Sequence, residues 1–323
     1  MTLRLDAVIP TKNRDQRLPR VIEPLLADAA IARVIVVDDA PTSEPTGGRL
    51  DPALLSDRVE VIHTGGVGPA RARQVGAQAS SSEILLFLDD DVVPTAGLPR
   101  LHLRHHQRES NLLVCGYTPI AAREGKCLSP EAAAYGATYE KRCVQYDRDP
   151  AVVLTHLWGG NFSLPRSTAL EVGLDSERFE ETWHEDRDFG LRCRRAGVKA
   201  VFDREILAHH EYERNWEVLA KESYRRGYSL VVLHDAHPDI GPLDEGYFTE
   251  GRPWPLRLFV GIASREPFRP LARGFINALR AVAKKVGWNR LQLISVQLLR
   301  LSESAAGARD ALAADRGGGR QGA

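Results

Sequence analysis

Three consecutive acids, Asp89-Asp90-Asp91, close the apolar run from Ile84 to Leu88. That run has the length and composition of a buried β-strand, so the strand ends by delivering three carboxylates to one spot. Adjacent carboxylates repel one another and push up each other's pKa. Such a cluster is comfortable beside a cation, and oxygen ligands suit Mg²⁺ or Mn²⁺. An ion held there would bridge to phosphates. Taken alone, the triplet reads equally well as a solvated acidic loop after a strand. The rest of the chain decides between the two.

Short runs rich in Val, Ile and Leu occur at residues 5–9, 33–37, 59–62 and 84–88. Between them lie stretches with helical spacing, Leu18, Val21, Ile22, Leu25, Leu26 and then Ala70 to Ala79. Strand and helix in alternation predict a parallel sheet covered on both faces. The first strand runs into the loop Pro10-Thr11-Lys12-Asn13-Arg14, and the second ends at Asp38-Asp39 before Ala40-Pro41-Thr42 turns away. Ligands of open α/β sheets sit beyond the carboxyl ends of the strands, so these polar ends should converge on a nucleotide. No G-x-G-x-x-G follows the first strand, which argues against a dinucleotide fold.

The stretch 111–175 is less regular, with a strand expected at Leu112–Cys115, and with Val152–Leu154 and Asn161–Leu164 flanking Trp158-Gly159-Gly160. A helix is predicted over about 185–196 with Gly197 closing it, then strands at Val198–Phe202 and Ile206–Ala208. Residues 238–270 hold six prolines and read as a linker or irregular arm. Helical periodicity returns over 271–286 and 291–301, and the tail from Asp315, with its Gly run, reads as disordered. This gives an α/β region over 1–237 (halves of about 1–110 and 111–237), an arm over 238–270, helices over 271–314 and a tail over 315–323.

Composition excludes some classes. Lys plus Arg equals Asp plus Glu, 43 of each, so no global field points to nucleic acid. The four cysteines lack paired metal-ligand spacing and suit a reducing cytoplasm as small buried residues. The opening MTLRLDAVIP shows no signal-peptide pattern, and no apolar run has the length of a membrane span. A cytoplasmic protein is expected, with a peripheral seat at the inner membrane face as the alternative.

In order, the chain carries AVIPTKNR, VIVVDDAPT, GPARARQVGAQA, ILLFLDDDVVP, WGGNFSLPR, HEDRDFGLRCRRAG and ILAHHEY. Together these pieces resemble the family 2 glycosyltransferases, inverting enzymes of GT-A fold, over about residues 5 to 212. The resemblance implies a mostly parallel Rossmann-like sheet with helices on both faces, here followed by a helical C-terminal region. It implies a nucleoside-diphosphate sugar as donor, UDP favoured, with Mg²⁺ or Mn²⁺ on the diphosphate. Pro10, Thr11, Asn13, Arg14, Asp38, Asp39, Arg71, Asp89 and Asp90 then fall on the nucleotide. Gln74 stands where the family commonly has Asn. Asp91 is the expected direct metal ligand, with Asp89 beside it. A further ligand is expected from His209 or His210. Neighbours on a strand face opposite ways, and the count favours His210. Asp186 matches the family's general base, which takes the proton of the acceptor hydroxyl, and Glu185 would hold an acceptor or sugar hydroxyl. Acids in a first helical turn are also favoured by the helix dipole alone. Asp188 is spaced to pair with Arg192 at i,i+4. Trp158, Gly159, Gly160 and Asn161 fall beside the donor sugar and Trp183 at the acceptor. The glycines let backbone approach closely, although either tryptophan could be core.

Two other readings bear on the same residues. A sugar-phosphate nucleotidyltransferase would want a Gly-rich basic first loop, where this chain has Pro10 and no glycine. A non-catalytic nucleotide-binding regulatory protein would have no need of every acid the chemistry wants. At the C-terminus, Arg273, Arg280, Lys284, Lys285 and Arg290 interleave with the apolar stripe. A helical cap, on the catalytic domain or on a second copy, is the simpler reading. Contact with an anionic membrane bearing a lipid-linked acceptor is the other. Saccharide and small-molecule acceptors stay open alongside it.

Overall fold

The structure is a computed structural model, which describes residues 3–41, 56–122, 127–179, 183–241, 243 and 247–318; Thr42 of the expected turn lies outside them. The chain divides into two compact units. The first comprises residues 1–125, 138–181 and 185–212, the second residues 126–137, 182–184 and 213–323.

The first unit is built on an eight-stranded sheet in the order β3-β2-β1-β4-β7-β6-β8-β5. Its strands are β1 (Leu5–Thr11), β2 (Ile31–Asp38), β3 (Val59–His63), β4 (Ile84–Leu88), β5 (Val92–Pro94), β6 (Leu112–Tyr117), β7 (Asn161–Pro165) and β8 (Lys199–His210). The four predicted apolar runs are β1 to β4, paired in parallel. The inner three, β1, β2 and β4, were readable because a strand covered on both faces has no polar alternation to keep. Leu5, Ala7, Val8, Ile9 and Val34 to Val37 have no exposed surface at all. The sheet changes direction at β7, antiparallel to both β4 and β6, with Phe87 stacked on Phe162 across the β4–β7 pair at 4.8 Å. The two short strands expected near 198–208 are one, β8, which pairs with β6 through a register shift at Gly116–Tyr117.

Helix α1 (Leu18–Leu26) buries Leu18, Val21, Ile22 and Leu25, the i, i+3, i+4, i+7 face seen in the sequence. Helix α2 (Pro69–Ala79) packs small residues onto the sheet, and a Cβ on Gly76 would overlap Val8. Asp6 fastens the end of α2 to β1. Fully buried, it accepts bonds from Ser80 Oγ (2.7 Å), Ser81 N (3.1 Å) and Ser82 Oγ (2.9 Å). Burial works to raise its pKa, and these hydrogen bonds outweigh it and hold the pKa below the ordinary value. The others are α3 (Leu98–His106), α5 (Val152–Thr155), α6 (Arg166–Val172) and α7 (Glu185–Arg195). Gly197 follows α7 in the left-handed region (φ +73°), as predicted for its closure. Helix α4 (Pro130–Arg148), in the stretch that read as irregular, gives its first turns to the second unit and the remainder to the first.

The second unit is helical: α8 (Trp216–Ala236), α9 (Trp254–Ala263), α10 (Phe268–Val286) and α11 (Asn289–Gly318). Ala134, Leu219, Ala220, Ile276, Val296 and Leu299 form its apolar core. Helices α8 and α11 cross so closely that a Cβ on Gly227 would overlap the Ser304 backbone, and one on Gly307 that of Tyr224. Arg280 pairs with Glu131 and stacks on Trp216, its guanidinium carbon 4.2 Å from the ring centre. Two expectations need correction. The proline-rich stretch 238–270 contains α9 and the start of α10, because Pro253 and Pro255 sit at a helix N-terminus, where proline's missing N–H costs nothing. Helix α11 also runs past Asp315 to Gly318; residues 319–323 lie outside those described.

Candidate active site

Strands β1, β2 and β4 run parallel, so their carboxyl ends open on one edge of the sheet. Thr11 is paired with Asp38 there, and Asp89 follows Leu88 directly. The three consecutive acids do not share one environment. Asp90 and Asp91 are buried, at 6% and 4% exposure, and turn toward the loop after β1. Thr11 Oγ1 donates to Asp90 (2.8 Å), and one Arg14 nitrogen donates to both Asp90 (2.8 Å) and Asp91 (2.9 Å). Arg17 lies 3.6 Å from Asp91. Burial raises the Asp90 pKa, with Arg14 acting against it.

Asp89 turns the other way, onto Arg73 of α2. The Arg73 guanidinium donates to Asp89 Oδ1 (2.8 Å) through one terminal nitrogen and to Asp186 Oδ1 (3.1 Å) through the other. A strand-end acid and a helix-start acid, 97 residues apart in sequence (186 minus 89), are thus tied by one buried cation. Burial alone would lower the Arg73 pKa, but Asp186, Asp89 and Glu185 together raise it. Asp186 is fixed on its other oxygen by the Gly159 N–H (3.0 Å). A side chain at Gly159 would overlap the Asp186 carboxylate, and one at Gly160 would sit 3.1 Å from Asp89 Oδ2. The two glycines therefore admit both acids against the backbone.

Glu185 and Asp186 both have pKa values above the ordinary carboxylate range. Burial is the first cause for each. Asp186 adds to the shift at Glu185 and Asp89 to that at Asp186, while Arg73 opposes both. A carboxylate raised in this way is a better proton acceptor near neutral pH than a free one. Asp188, in the same first turn, pairs with Arg192 at 2.8 Å, the expected i,i+4 partner.

The residues here suit a divalent ion. His210 stands opposite Val92 on β8, and its Nε2 lies 3.4 Å from Asp91 Oδ1, whereas His209 is exposed. Two adjacent ligands of an octahedral ion with bonds of about 2.1 Å sit about 3 Å apart, close to this separation. No group of three or more His, Cys, Asp or Glu able to hold a metal occurs among the described residues. That is compatible with an ion of the Mg²⁺ type, which takes one or two protein ligands and completes its shell with water and phosphate oxygens.

Other expected site residues are engaged in holding the fold. Asp39 accepts from Thr64 Oγ1 (2.7 Å) and from the N–H groups of Gly66 (3.1 Å), Val67 (2.6 Å) and Gly68 (2.9 Å), so it shapes the loop that starts α2. Asp38 accepts from Ala40 N and contacts His63. Arg71 is half exposed and pairs with Asp175 at 2.6 Å, while Arg73, two residues on, enters the acid cluster. Gln74 accepts from Leu174 N (2.8 Å). Asn161 is 1% exposed: its Oδ1 meets His102 Nε2 at 2.9 Å, and its Nδ2 donates to Ile206 O at 3.2 Å. Ser163 continues this network, its Oγ within 2.8 Å of both His102 and His106. Burial lowers the pKa of both rings, His102 to about 3 and His106 to about 4, so they are neutral links. Trp158 packs edge-on to Tyr139 at 4.9 Å. Trp183 belongs to the second unit. Pro10 is half-buried in β1, and Asn13 is exposed with φ +56°.

Arg73 and Arg17 are the residues that sequence reasoning missed. For Arg73 a signal existed: it lies three residues before Gly76 and next to Ala72, on the small-residue face of α2 that meets the sheet.

Residues 6–163, just under half of the chain, match the sequence profile described as glycosyl transferase family 2. The "pre-mycofactocin glycosyltransferase" of two Mycobacterium tuberculosis strains is 29% identical over 252 residues, covering 72% of this chain and 48% of that protein. The "uncharacterized glycosyltransferase YfnE" of Bacillus subtilis is 22% identical over 187 residues, covering 45% of this chain and 48% of its own length. This chain therefore spans about half the length of the curated relatives it matches. Among solved structures, the mannosyltransferase PcManGT from Pyrobaculum calidifontis, in complex with GDP-Man and Mn²⁺, superposes with a TM-score of 0.59 at 15% identity, over 95% of this chain and 87% of that one. At that identity the likeness is one of fold. Residues 6–163 thus resemble the glycosyl transferase family 2 profile, and the relatives matched in sequence carry the name glycosyltransferase too.

Proposed function

We propose that this chain transfers a sugar from a nucleoside-diphosphate sugar to an acceptor hydroxyl with inversion, using Asp186 as general base. The observation that carries this reading is the Arg73 bridge between Asp89 and Asp186. It sets one acid suited to a metal–diphosphate beside one suited to proton transfer. Each Asp186 oxygen meets one donor, Arg73 or Gly159, which fixes its orientation and leaves it able to accept a hydroxyl proton. A raised pKa favours that acceptance, and Glu185 beside it can take a sugar or acceptor hydroxyl.

A divalent ion, held by Asp91 and His210 with Asp89 nearby, would supply charge neutralisation for the departing nucleoside diphosphate. Arg14 and Arg17 add fixed positive charge on the same side. Since Asp39 is spent on four donors of its own loop, the reading rests on the diphosphate more than on uracil. The PcManGT complex with GDP-Man and Mn²⁺ supports a metal–diphosphate donor in this fold.

Thermal shift with UDP and GDP, each with Mn²⁺ and with EDTA, tests the donor. One diphosphate should raise the unfolding temperature in Mn²⁺ and not in EDTA, and Asp91→Asn should abolish that difference. Equal shifts in both conditions would overturn the metal coupling. The anomeric configuration of the product, read by NMR, tests the single displacement: an α-linked donor should give a β-linked product, and retention would overturn the role of Asp186.

A further inference from the structure

Helices α9 and α10 present a long apolar face to solvent. On α10, Phe268 (51%), Leu271 (73%), Phe275 (56%), Val282 (56%) and Val286 (69%) are all more than half exposed. They recur at i, i+3, i+7, i+14 and i+18. At 3.6 residues per turn this keeps them within a sector of roughly 60°. Trp254, Leu258 and Ile262 form a similar exposed row on α9, and Trp288 follows α10. Another side of α10 packs into its own unit. Ile276 and Ala283 are buried, and Arg269, Arg273 and Arg280 pair with Glu303, Glu217 and Glu131.

The charge around this face is one-sided. Residues 251–290 contain nine Lys or Arg and a single acid, Glu266, in a chain whose totals balance at 43 each. Arg252, Arg257, Lys284, Lys285 and Arg290 are exposed. Aromatic and aliphatic side chains flanked mainly by cations match a surface with an apolar interior and an anionic skin. A second copy of the chain offers the apolar half alone. An isologous contact through this face would set two basic rims against each other.

We propose that the α9–α10 face docks on an anionic lipid bilayer, its apolar row at the headgroup–acyl boundary and its exposed Arg and Lys among the headgroups. The helices would lie on the bilayer: no helix among the described residues is long and apolar enough to cross a membrane. The proposal is independent of the sugar-transfer chemistry.

Flotation of the whole chain with vesicles of phosphatidylcholine, pure or with about one-third phosphatidylglycerol, tests it. The chain should float with the anionic vesicles, lose binding as salt rises, and ignore the neutral ones. The double variant Leu271→Glu/Phe275→Glu should bind anionic vesicles about tenfold or more weakly, with an unchanged unfolding temperature because both positions are exposed. Lys284→Glu/Lys285→Glu should weaken binding and flatten its salt dependence. Equal binding to neutral vesicles, or full binding by both variants, would overturn the proposal. So would a solution dimer that Leu271→Glu/Phe275→Glu splits while the parent chain fails to float; the face would then join two copies.

Discussion

In the first unit, β1, β2 and β4 are mostly apolar and mostly buried, and acids and arginines interlock at their carboxyl ends. In the second unit a few buried side chains, a glycine-lined helix crossing and three Arg–Glu pairs hold the helices, while large apolar groups stay outside. The difference lies in where each unit spends its apolar residues. A sheet closed on both faces supplies a stiff frame on which like charges can be crowded, because each is fixed by a counter-charge and cannot relax away. A helical layer with an open apolar face has the residues for a core but leaves them available for another surface.

Removing the cation at the centre of the acid cluster should have the largest effect. Arg73→Met leaves Asp89 and Asp186 facing each other without their buried counter-charge, a loss of about 3 kcal/mol or more for a broken buried pair. Urea unfolding should show it, and turnover should disappear. A variant as stable as the parent would mean that the interlocking of charge in the first unit carries no weight.

Next comes Asp186→Asn, which keeps the shape and loses the proton acceptor. The chemical step should slow roughly a hundredfold or more, with donor affinity nearly unchanged. The pH profile sharpens this. Because burial raises the Asp186 pKa, the acid limb of kcat/KM should lie above the ordinary carboxylate range, activity falling as pH drops through it and the base takes a proton. For stability the sign is reversed: the folded state holds that proton more tightly than the unfolded one. This group therefore withdraws stability as pH rises from the unfolded carboxylate pKa to the folded one. Asp6, whose pKa is lowered, adds stability above the unfolded value and loses it as pH falls toward the folded one. An acid limb in the ordinary carboxylate range would contradict the role of burial at Asp186.

The same contrast explains what could be read from the sequence. Strands β1, β2 and β4 were legible since burial on both faces leaves a nearly unbroken apolar run. The acids at their ends were legible since nothing else in the chain resembles Asp89-Asp90-Asp91. The choice between Arg71 and Arg73 was not, because it depends on which face of α2 meets the sheet, and Arg is usually exposed. At Asp39 and Asn161 the polarity was visible in the sequence, and the backbone and histidine partners, far away in sequence, were not. Helices α4, α8 and α9 were missed. Helix α8 buries a mixed face that includes Ser223, Gly227 and Ser229 beside its leucines, and in α9 proline marks a helix start that resembles a break.

Glycine substitution probes the second unit in its own terms. At Gly227→Ala the new methyl group would overlap the Ser304 backbone, which cannot swing aside as a flexible side chain could. Forcing α8 and α11 apart should cost about 1–3 kcal/mol, as overpacking does elsewhere. Unfolding followed by tryptophan fluorescence, with Trp216 on α8 as a reporter, should show the loss. No loss would mean that the close crossing is not what holds these helices together.

The smallest effect belongs to a matched pair, one valine from each region changed in the same way. Val36 in β2 has no exposed surface, and its neighbours in the sheet core are apolar. Val36→Thr keeps the side-chain volume but places a hydroxyl where no partner awaits it, at a cost of about 1–3 kcal/mol. Val286 at the end of α10 is 69% exposed, and Val286→Thr lets water satisfy the hydroxyl, so stability should move by less than about 0.5 kcal/mol. The two midpoints, measured in urea against the parent chain, should separate accordingly. If Val286→Thr cost as much as Val36→Thr, the outer row of α10 would be packed against something in solution, and it could not be a surface waiting for a bilayer.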